Sequence, residues 1–165
     1  TLNKCPILVK AEIGDKMEYI HAQFLIYKYT VDVVISENNP YYTVEEGVLY
    51  NKNKDILVTV LKRIDGKFDV IDGVKAIGDY AFYNQNKMSE LNLNKAEKIG
   101  EYFISDCSSL KRIEIPSTII RIDVGAFESA TSTSQIIIHR KENAIKGSPF
   151  GSPFGLRAIE WVGDN

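Results

Sequence analysis

The 165-residue chain is predicted to fold as an α/β-type solenoid that is mostly β. One segment, Ile77-Gly78-Asp79-Tyr80-Ala81-Phe82, recurs with later copies that begin at Ile99, Ile122 and Ile145, at intervals of 22, 23 and 23 residues. Each copy has a large apolar residue five positions after its first isoleucine: Phe82, Ile104, Phe127 and Phe150. Self-similarity at a fixed period of 20–30 residues is typical of a solenoid.

Short apolar triplets predict one strand in each coil of the stack. The five triplets, whose central residues recur every 22 or 23 positions, are Phe68-Asp69-Val70, Leu91-Asn92-Leu93, Ile113-Glu114-Ile115, Ile136-Ile137-Ile138 and Ile159-Glu160-Trp161. Side chains alternate along a strand, so the outer residues should pack inward and the central residue should face solvent. Three positions before the strands, Met88 and Leu110 extend the apolar ladder, whereas Thr133 predicts a weak point.

The start of the chain has a looser pattern. We expect residues 1–18 to be an irregular N-terminal segment and residues 19–165 to form the solenoid. Residues 19–36 align as a degenerate first repeat, with Val33 and Ile35 in its strand. A helix over residues 16–28 is the competing interpretation, because Met17, Ile20, Phe24 and Tyr27 also match one helical face.

A hairpin is predicted to interrupt the period at about residues 41–60. The apolar runs Val48-Leu49-Tyr50 and Ile56-Leu57-Val58 flank the polar loop 51–55, which is the pattern of two strands joined by a turn. At the C-terminal end of the chain, residues 145–165 are predicted to cap the stack. Proline residues there suit a terminal turn, and Trp161 could cover the open end of the core.

The composition excludes several classes of function. Basic and acidic residues number 20 and 22 and are mixed along the chain, so no basic block predicts nucleic-acid binding. No apolar run reaches the roughly 20 residues that span a bilayer. The two cysteines, Cys5 and Cys107, are a single pair in a chain of this size, which does not indicate a disulfide framework and leaves the redox compartment open.

No catalytic or metal-binding pattern is present in the sequence. His21 and His139 belong to different repeats, and neither has a partner at a recognised motif spacing. Two histidines and two cysteines without paired spacing predict no zinc site. We therefore expect a non-enzymatic protein that needs no cofactor and no metal.

Several motifs resemble the BspA-like leucine-rich repeat family of bacterial and protist surface proteins. They are IGDYAF at 77, CSSLKRIEIPSTIIRI from Cys107 to Ile122, GAF at 125, and NNPYYTVEEGVLYN from Asn38 to Asn51. The resemblance implies a right-handed solenoid with one parallel sheet of short strands on its concave side. It also implies a secreted or cell-surface protein that binds an extracellular or host protein; the alternative is a structural spacer that presents another domain.

Two surfaces are candidates for binding. Neighbouring strands lie about 4.8 Å apart, so their central residues should form a column on the concave face. The binding residues predicted on that face are Asp69, Glu90, Asn92, Arg112, Glu114, Gln135, Ile137 and Glu160. They suggest a shallow polar groove for an extended or basic partner, although a solvated face of mixed charge is the simpler explanation. The hairpin tyrosines Tyr41, Tyr42 and Tyr50 form the second candidate, although packing of Tyr41 and Tyr42 against the solenoid edge is the preferred interpretation.

Overall fold

The computed structural model describes residues 10–20, 32–128, 130, 132–141, 144–147 and 159–163. These residues contain no α-helix and thirteen short strands. The strands are β1 (Lys10–Ile13), β2 (Asp32–Ile35), β3 (Tyr42–Glu45), β4 (Val48–Asn51), β5 (Ile56–Val60), β6 (Asp65–Asp69), β7 (Ala76–Ile77), β8 (Lys87–Asn92), β9 (Lys98–Ile99), β10 (Arg112–Ile115), β11 (Arg121–Ile122), β12 (Gln135–Ile138) and β13 (Ile159–Trp161). The prediction of a mostly-β solenoid is confirmed, with about five coils.

The predicted strands form one five-stranded parallel sheet in the order β6, β8, β10, β12, β13. Asn92 pairs in register with Asp69 on one side and with Glu114 on the other. The register continues from Glu114 to Ile137 and from Ile137 to Glu160. The 22- and 23-residue intervals therefore align equivalent positions of successive coils, as the sequence predicts.

A second sheet, which the sequence does not predict, carries the start of the repeated segment. Strands β7, β9 and β11 pair in parallel and place Ile77, Ile99 and Ile122 in one column. The fourth copy departs from the predicted register, because Arg121 pairs with Lys146 across an interval of 25 residues. Ile122 N donates to Lys146 O, and Lys146 N donates to Ile120 O, so Ile145 is not opposite Ile122.

Three antiparallel strands extend the second sheet. Strand β4 runs antiparallel to both β3 and β5, and the polar residues 52–55 connect β4 to β5. Strand β5 also pairs in parallel with β7, which joins the antiparallel strands to the stacked coils. Strand β3 lies within the predicted hairpin region of about residues 41–60, before the two apolar runs that the sequence identifies as its strands. The sheet order is thus β3, β4, β5, β7, β9, β11.

The N-terminal region contains a small two-stranded parallel sheet. Strand β1 lies inside the segment predicted to be irregular and pairs with β2, which contains Val33 and Ile35. Ile13 and Ile20 pack with Tyr42 and Leu49 in a second, smaller core cluster. Residues 16–20 are not helical, and residues 21–28 of the competing helix lie outside the described residues.

The main core lies between the two larger sheets and joins successive coils. Phe82 is fully buried, and its ring packs edge-on against Phe68 with centroids 5.4 Å apart. The Phe103 and Phe127 rings make the same kind of contact, also at 5.4 Å. Burial of each such side chain contributes roughly 1.5–3 kcal/mol of transfer free energy, so these columns hold the stack together.

Polar side chains within the core form hydrogen bonds, which corrects the expectation of a weak point at Thr133. Thr133 is buried, and its Oγ1 donates to Leu110 O at 2.8 Å. The hydroxyl therefore satisfies a carbonyl of the preceding coil, and its burial is not penalised as that of an unpaired polar group would be. Cys107 is also buried, with its Sγ 3.0 Å from Phe82 O, and Cys5 lies outside the described residues.

Candidate functional site

The outward side of the five-stranded sheet forms a mostly polar surface, here called the strand face. Side chains alternate along each strand, so Leu91 and Ile113 are buried, whereas their neighbours Asn92 and Glu114 face solvent. The strand face comprises Lys67, Asp69, Glu90, Asn92, Arg112, Glu114, Gln135 and Glu160. Seven of the eight predicted concave-face residues are in this set. The sheet register brings together side chains that are separated by 22 or 23 residues in sequence.

Ile137 is the exception among the predicted binding residues, because only 7% of its surface is exposed. It lies in register between Glu114 and Glu160, whose longer side chains flank it. Burial of a branched aliphatic side chain is favourable because it removes apolar surface from water. Ile137 is therefore a packing residue and interrupts the polar column.

Glu114 pairs with two neighbouring side chains. Its Oε1 lies 2.5 Å from Arg112 Nη2, and its Oε2 lies 3.1 Å from His139 Nε2. An ionised carboxylate only accepts hydrogen bonds, so His139 Nε2 is the donor in this contact. The three side chains are 39–54% exposed, so each pair contributes ~1 kcal/mol or less to stability.

His139 reads as a lone histidine in the sequence, but the repeat register places it beside the strand face. His139 follows Ile138 directly, as Pro116 follows Ile115 in the preceding coil. It therefore lies at the end of its strand, on the same border of the strand face as Pro116. Aligning the positions that follow each triplet would have placed His139 opposite Pro116, two residues along the strand from Glu114 and within reach of its side chain.

Asp69 is held by two neighbours on the strand face. Asn92 Nδ2 donates to Asp69 Oδ1 at 2.9 Å, and Lys67 Nζ lies 3.2 Å from the same oxygen. The hydrogen bond from Asn92, followed by the interaction with Lys67, lowers the pKa of Asp69 below its ordinary value. Asn92 Oδ1 in turn accepts a hydrogen bond from Asn94 N at 2.9 Å, which fixes the orientation of the Asn92 amide.

Replacing Asn92 by alanine is expected to raise the pKa of Asp69 toward its ordinary value, because the ionised carboxylate loses its main donor. A lowered pKa in the folded state stabilises the protein above the unfolded pKa, and this contribution is lost as the pH falls through the folded pKa. The variant should therefore lose less stability on acidification. NMR titration of the Asp69 carboxyl measures the shift, with Asn53→Ala in the exposed loop as control; an unchanged pKa in Asn92→Ala would contradict the assignment.

Two adjoining cavities lie along the strand face. The first has a volume of about 460 Å³ and is lined by Lys67, Ser89, Glu90, Leu91, Asn92, Arg112 and Glu114. The second has a volume of about 540 Å³ and is lined by Asn92, Leu93, Glu114, Pro116, Ser117, His139 and Val162. Both include Asn92 and Glu114, so the two cavities meet at these side chains. Among the described residues, Glu90 has no ion-pair partner, whereas Glu114 has two.

The hairpin tyrosines do not form a common exposed surface, so this second candidate needs correction. Tyr50 is only 2% exposed and belongs to the main core, where burial raises its pKa. Tyr42 is also buried, and its hydroxyl donates to Glu18 O at 3.2 Å and accepts from Ile20 N at 3.1 Å. Tyr41 remains exposed, with its hydroxyl donating to Glu18 Oε1 at 3.0 Å. The Glu18 hydrogen bond raises the pKa of Tyr41.

Neither a metal centre nor a membrane span is found in the part of the chain that the structure describes. No three His, Cys, Asp or Glu side chains there are grouped so that they could hold a metal ion. No helix among the same residues is long and apolar enough to cross a membrane. The strand face instead offers hydrogen-bonding and charged groups in shallow cavities.

Short parallel strands that recur every 22 or 23 residues around one apolar core define the chain as a repeat solenoid. The family described as BspA type leucine rich repeat region, with six copies, matches residues 66–162. The chain belongs to this family, as its sequence motifs indicate. Leucine-rich repeats are generally protein-interaction modules and not enzymes.

Solved structures of bacterial proteins have the same fold. The pneumococcal vaccine antigen PcpA is similar over 96% of this chain and 46% of its own, with 17% identity and a TM-score of 0.67. A leucine rich cell surface protein from Faecalibacterium prausnitzii is similar over 96% of this chain and 49% of its own, with 20% identity and a TM-score of 0.62. The chain thus spans about half the length of these proteins. A search of curated proteins finds no significant match.

Proposed function

We propose that this chain is a non-enzymatic protein-binding module of a secreted or cell-surface protein, and that it binds an extracellular protein partner through the strand face. The observation that supports this function best is the meeting of the two cavities at Asn92 and Glu114. A partner segment lying across the strands would contact both cavities and several coils at once.

The polar chemistry of the strand face favours an extended partner segment that carries a basic side chain. Lys67 and Arg112 already pair with carboxylates of their own strands, whereas Glu90 has no partner among the described residues. Glu90 lines the first cavity, where a lysine or arginine of the partner could reach it. Such complementary charges contribute more to specificity and association rate than to affinity.

Similar proteins support an extracellular location. Two of the similar structures are described as a vaccine antigen and a cell surface protein. We also infer that the coils wind right-handed, as parallel connections nearly always do, and that β3–β5 are an insertion into the repeat. The solenoid over residues 19–165 and the cap over residues 145–165 are part of the same proposal.

The double variant Asn92→Lys/Glu114→Lys is expected to lose partner binding while it stays folded, with only a small decrease in thermal midpoint. Both side chains are exposed, so the fold should tolerate lysine, but the centre of the strand face becomes basic. Asn53→Lys/Glu101→Lys introduces the same change in charge elsewhere on the surface and should bind normally. Retained binding by the strand-face variant would eliminate the strand face as the binding surface.

A pull-down from serum or extracellular-matrix proteins, with mass spectrometry of the captured proteins, provides the binding assay. We expect a protein that the wild type and the control variant retain and that the strand-face variant loses. Capture of no protein by the wild type would favour the alternative function of a structural spacer. Biolayer interferometry with the captured protein then measures the affinity of each variant.

A further inference from the structure

Three basic side chains form a column on the second sheet, here called the basic ladder. Lys98 on β9 pairs in register with Arg121 on β11, and Arg121 pairs with Lys146. All three side chains are exposed. Neighbouring strands are about 4.8 Å apart, so the backbone positions of the ladder span roughly 10 Å. The column belongs to the second sheet and contains no residue of the strand face.

The basic ladder is an unfavourable arrangement for the isolated protein. Like charges directly opposite each other on neighbouring strands destabilise a sheet. Asp123 offsets part of this charge, because its Oδ1 lies 2.5 Å from Arg121 Nε. Lys98 and Lys146 have no carboxylate partner among the described residues. A ligand with closely spaced negative charges would remove the repulsion and gain mainly from Lys98 and Lys146, which flank the paired Arg121.

The positive charge of the basic ladder is a local feature, because the chain as a whole carries a net charge of −2. The register continues from Lys98 to Ala76 and from Ala76 to Ile56, neither of which is charged. The positive charge is therefore confined to three successive coils at one end of the column. Overall charge would not attract a polyanion, so binding of one would have to depend on a local feature such as this ladder.

We propose that the basic ladder binds an acidic polysaccharide through its carboxylate or sulfate groups. A linear polymer can follow the column and present an anionic group near each cation, because the pyranose repeat of an extended glycan is close to the strand spacing. Single-stranded nucleic acids are the other common linear polyanions, but proteins that bind them combine basic grooves with aromatic side chains for base stacking. Strands β9 and β11 contain no aromatic residue, and Tyr80 and Tyr102, which follow β7 and β9, stack on each other with ring centroids 5.0 Å apart; this favours the glycan.

Chromatography of the 165-residue chain on immobilised heparin, a sulfated polysaccharide, tests this inference. The wild type is expected to bind at low ionic strength and to elute as salt screens the contacts. The variant Lys98→Glu/Lys146→Glu should flow through. The control Lys16→Glu/Lys87→Glu has the same change in charge at exposed positions outside the ladder and should elute with the wild type. Equal thermal midpoints establish that all three proteins are folded.

Three results would overturn the proposal. The wild type could fail to bind heparin, or both double variants could lose binding equally, which would indicate a response to net charge alone. Single-stranded DNA of mixed sequence could also displace heparin from the wild type at lower concentration than free heparin does. That result would mean that the ladder prefers a nucleic acid. Loss of heparin binding in Lys98→Glu/Lys146→Glu, with the control unaffected and free heparin the better competitor, would support the proposal.

Discussion

The Phe82→Ala variant is expected to lose about 3–5 kcal/mol of unfolding free energy, the usual cost of truncating a buried phenylalanine. Phe82 is fully buried, and its ring packs against Phe68 at 5.4 Å. Its backbone N donates to Phe103 O at 2.8 Å, so the coils on this side are held together by hydrogen bonds. The backbone cannot easily collapse into the space left by the ring. Urea or thermal denaturation measures the loss.

Tyr19→Ala is the matched control for this experiment, because it removes an aromatic ring that is 72% exposed. Its effect should lie within about 0.5 kcal/mol of zero, as is usual for surface substitutions. Phe127→Ala should behave like Phe82→Ala, since Phe127 occupies the same position two coils later. An unchanged thermal midpoint in both phenylalanine variants would contradict the solenoid core.

Gly100→Ala is expected to cost about 1–3 kcal/mol, the range found for overpacking of a close-packed interior. A Cβ atom at Gly100 would lie 2.7 Å from Asp79 N and 2.8 Å from Gly78 C of the preceding coil. Both atoms belong to the backbone, so the contact is relieved only if the coils move apart. Chemical denaturation of the variant gives the change in unfolding free energy.

Gly14→Ala controls for the general effect of replacing glycine by alanine. No atom lies within 4 Å of a Cβ atom built at Gly14. The substitution should therefore be neutral or slightly stabilising, because alanine restricts the unfolded chain more than glycine does. If Gly100→Ala had the same unfolding free energy as Gly14→Ala, successive coils could not approach as closely at Gly100 as the structure shows.

The period of the sequence predicts the strand register because each coil adds one strand to the same sheet. A shift of one residue would turn the apolar side chains of every triplet toward solvent, so burial and register support each other. This is why the spacing of Asp69, Asn92 and Glu114 in the sequence is enough to align them. The second sheet was not predicted because β7, β9 and β11 are only two residues long, and two residues do not establish an alternating pattern.

Burial at single positions depends on neighbours that the sequence does not identify. Ile137 has the strand position of an exposed residue but is flanked by the side chains of adjacent strands. Tyr50 follows an apolar run in what reads as a hairpin, yet its ring lies in the main core. Thr133 is acceptable in the core only because a carbonyl of the preceding coil accepts its hydrogen bond.

The electrostatic organisation also depends on the fold. Charges that are mixed along the chain become segregated once the coils stack, as the basic ladder of Lys98, Arg121 and Lys146 demonstrates. These residues are 23 and 25 positions apart, so no basic block is visible in the sequence. The contact between His139 and Glu114 has the same origin, because it joins residues 25 positions apart.

The central claim is that successive coils stack in the register that creates the strand face, and backbone NOE contacts measured by NMR test it most directly. We expect cross-strand NOEs between Asn92 and Glu114 and between Glu114 and Ile137. NOEs displaced by one residue, or no contacts between these strands, would contradict the claim, because the polar column would then not exist on the exposed side of the sheet.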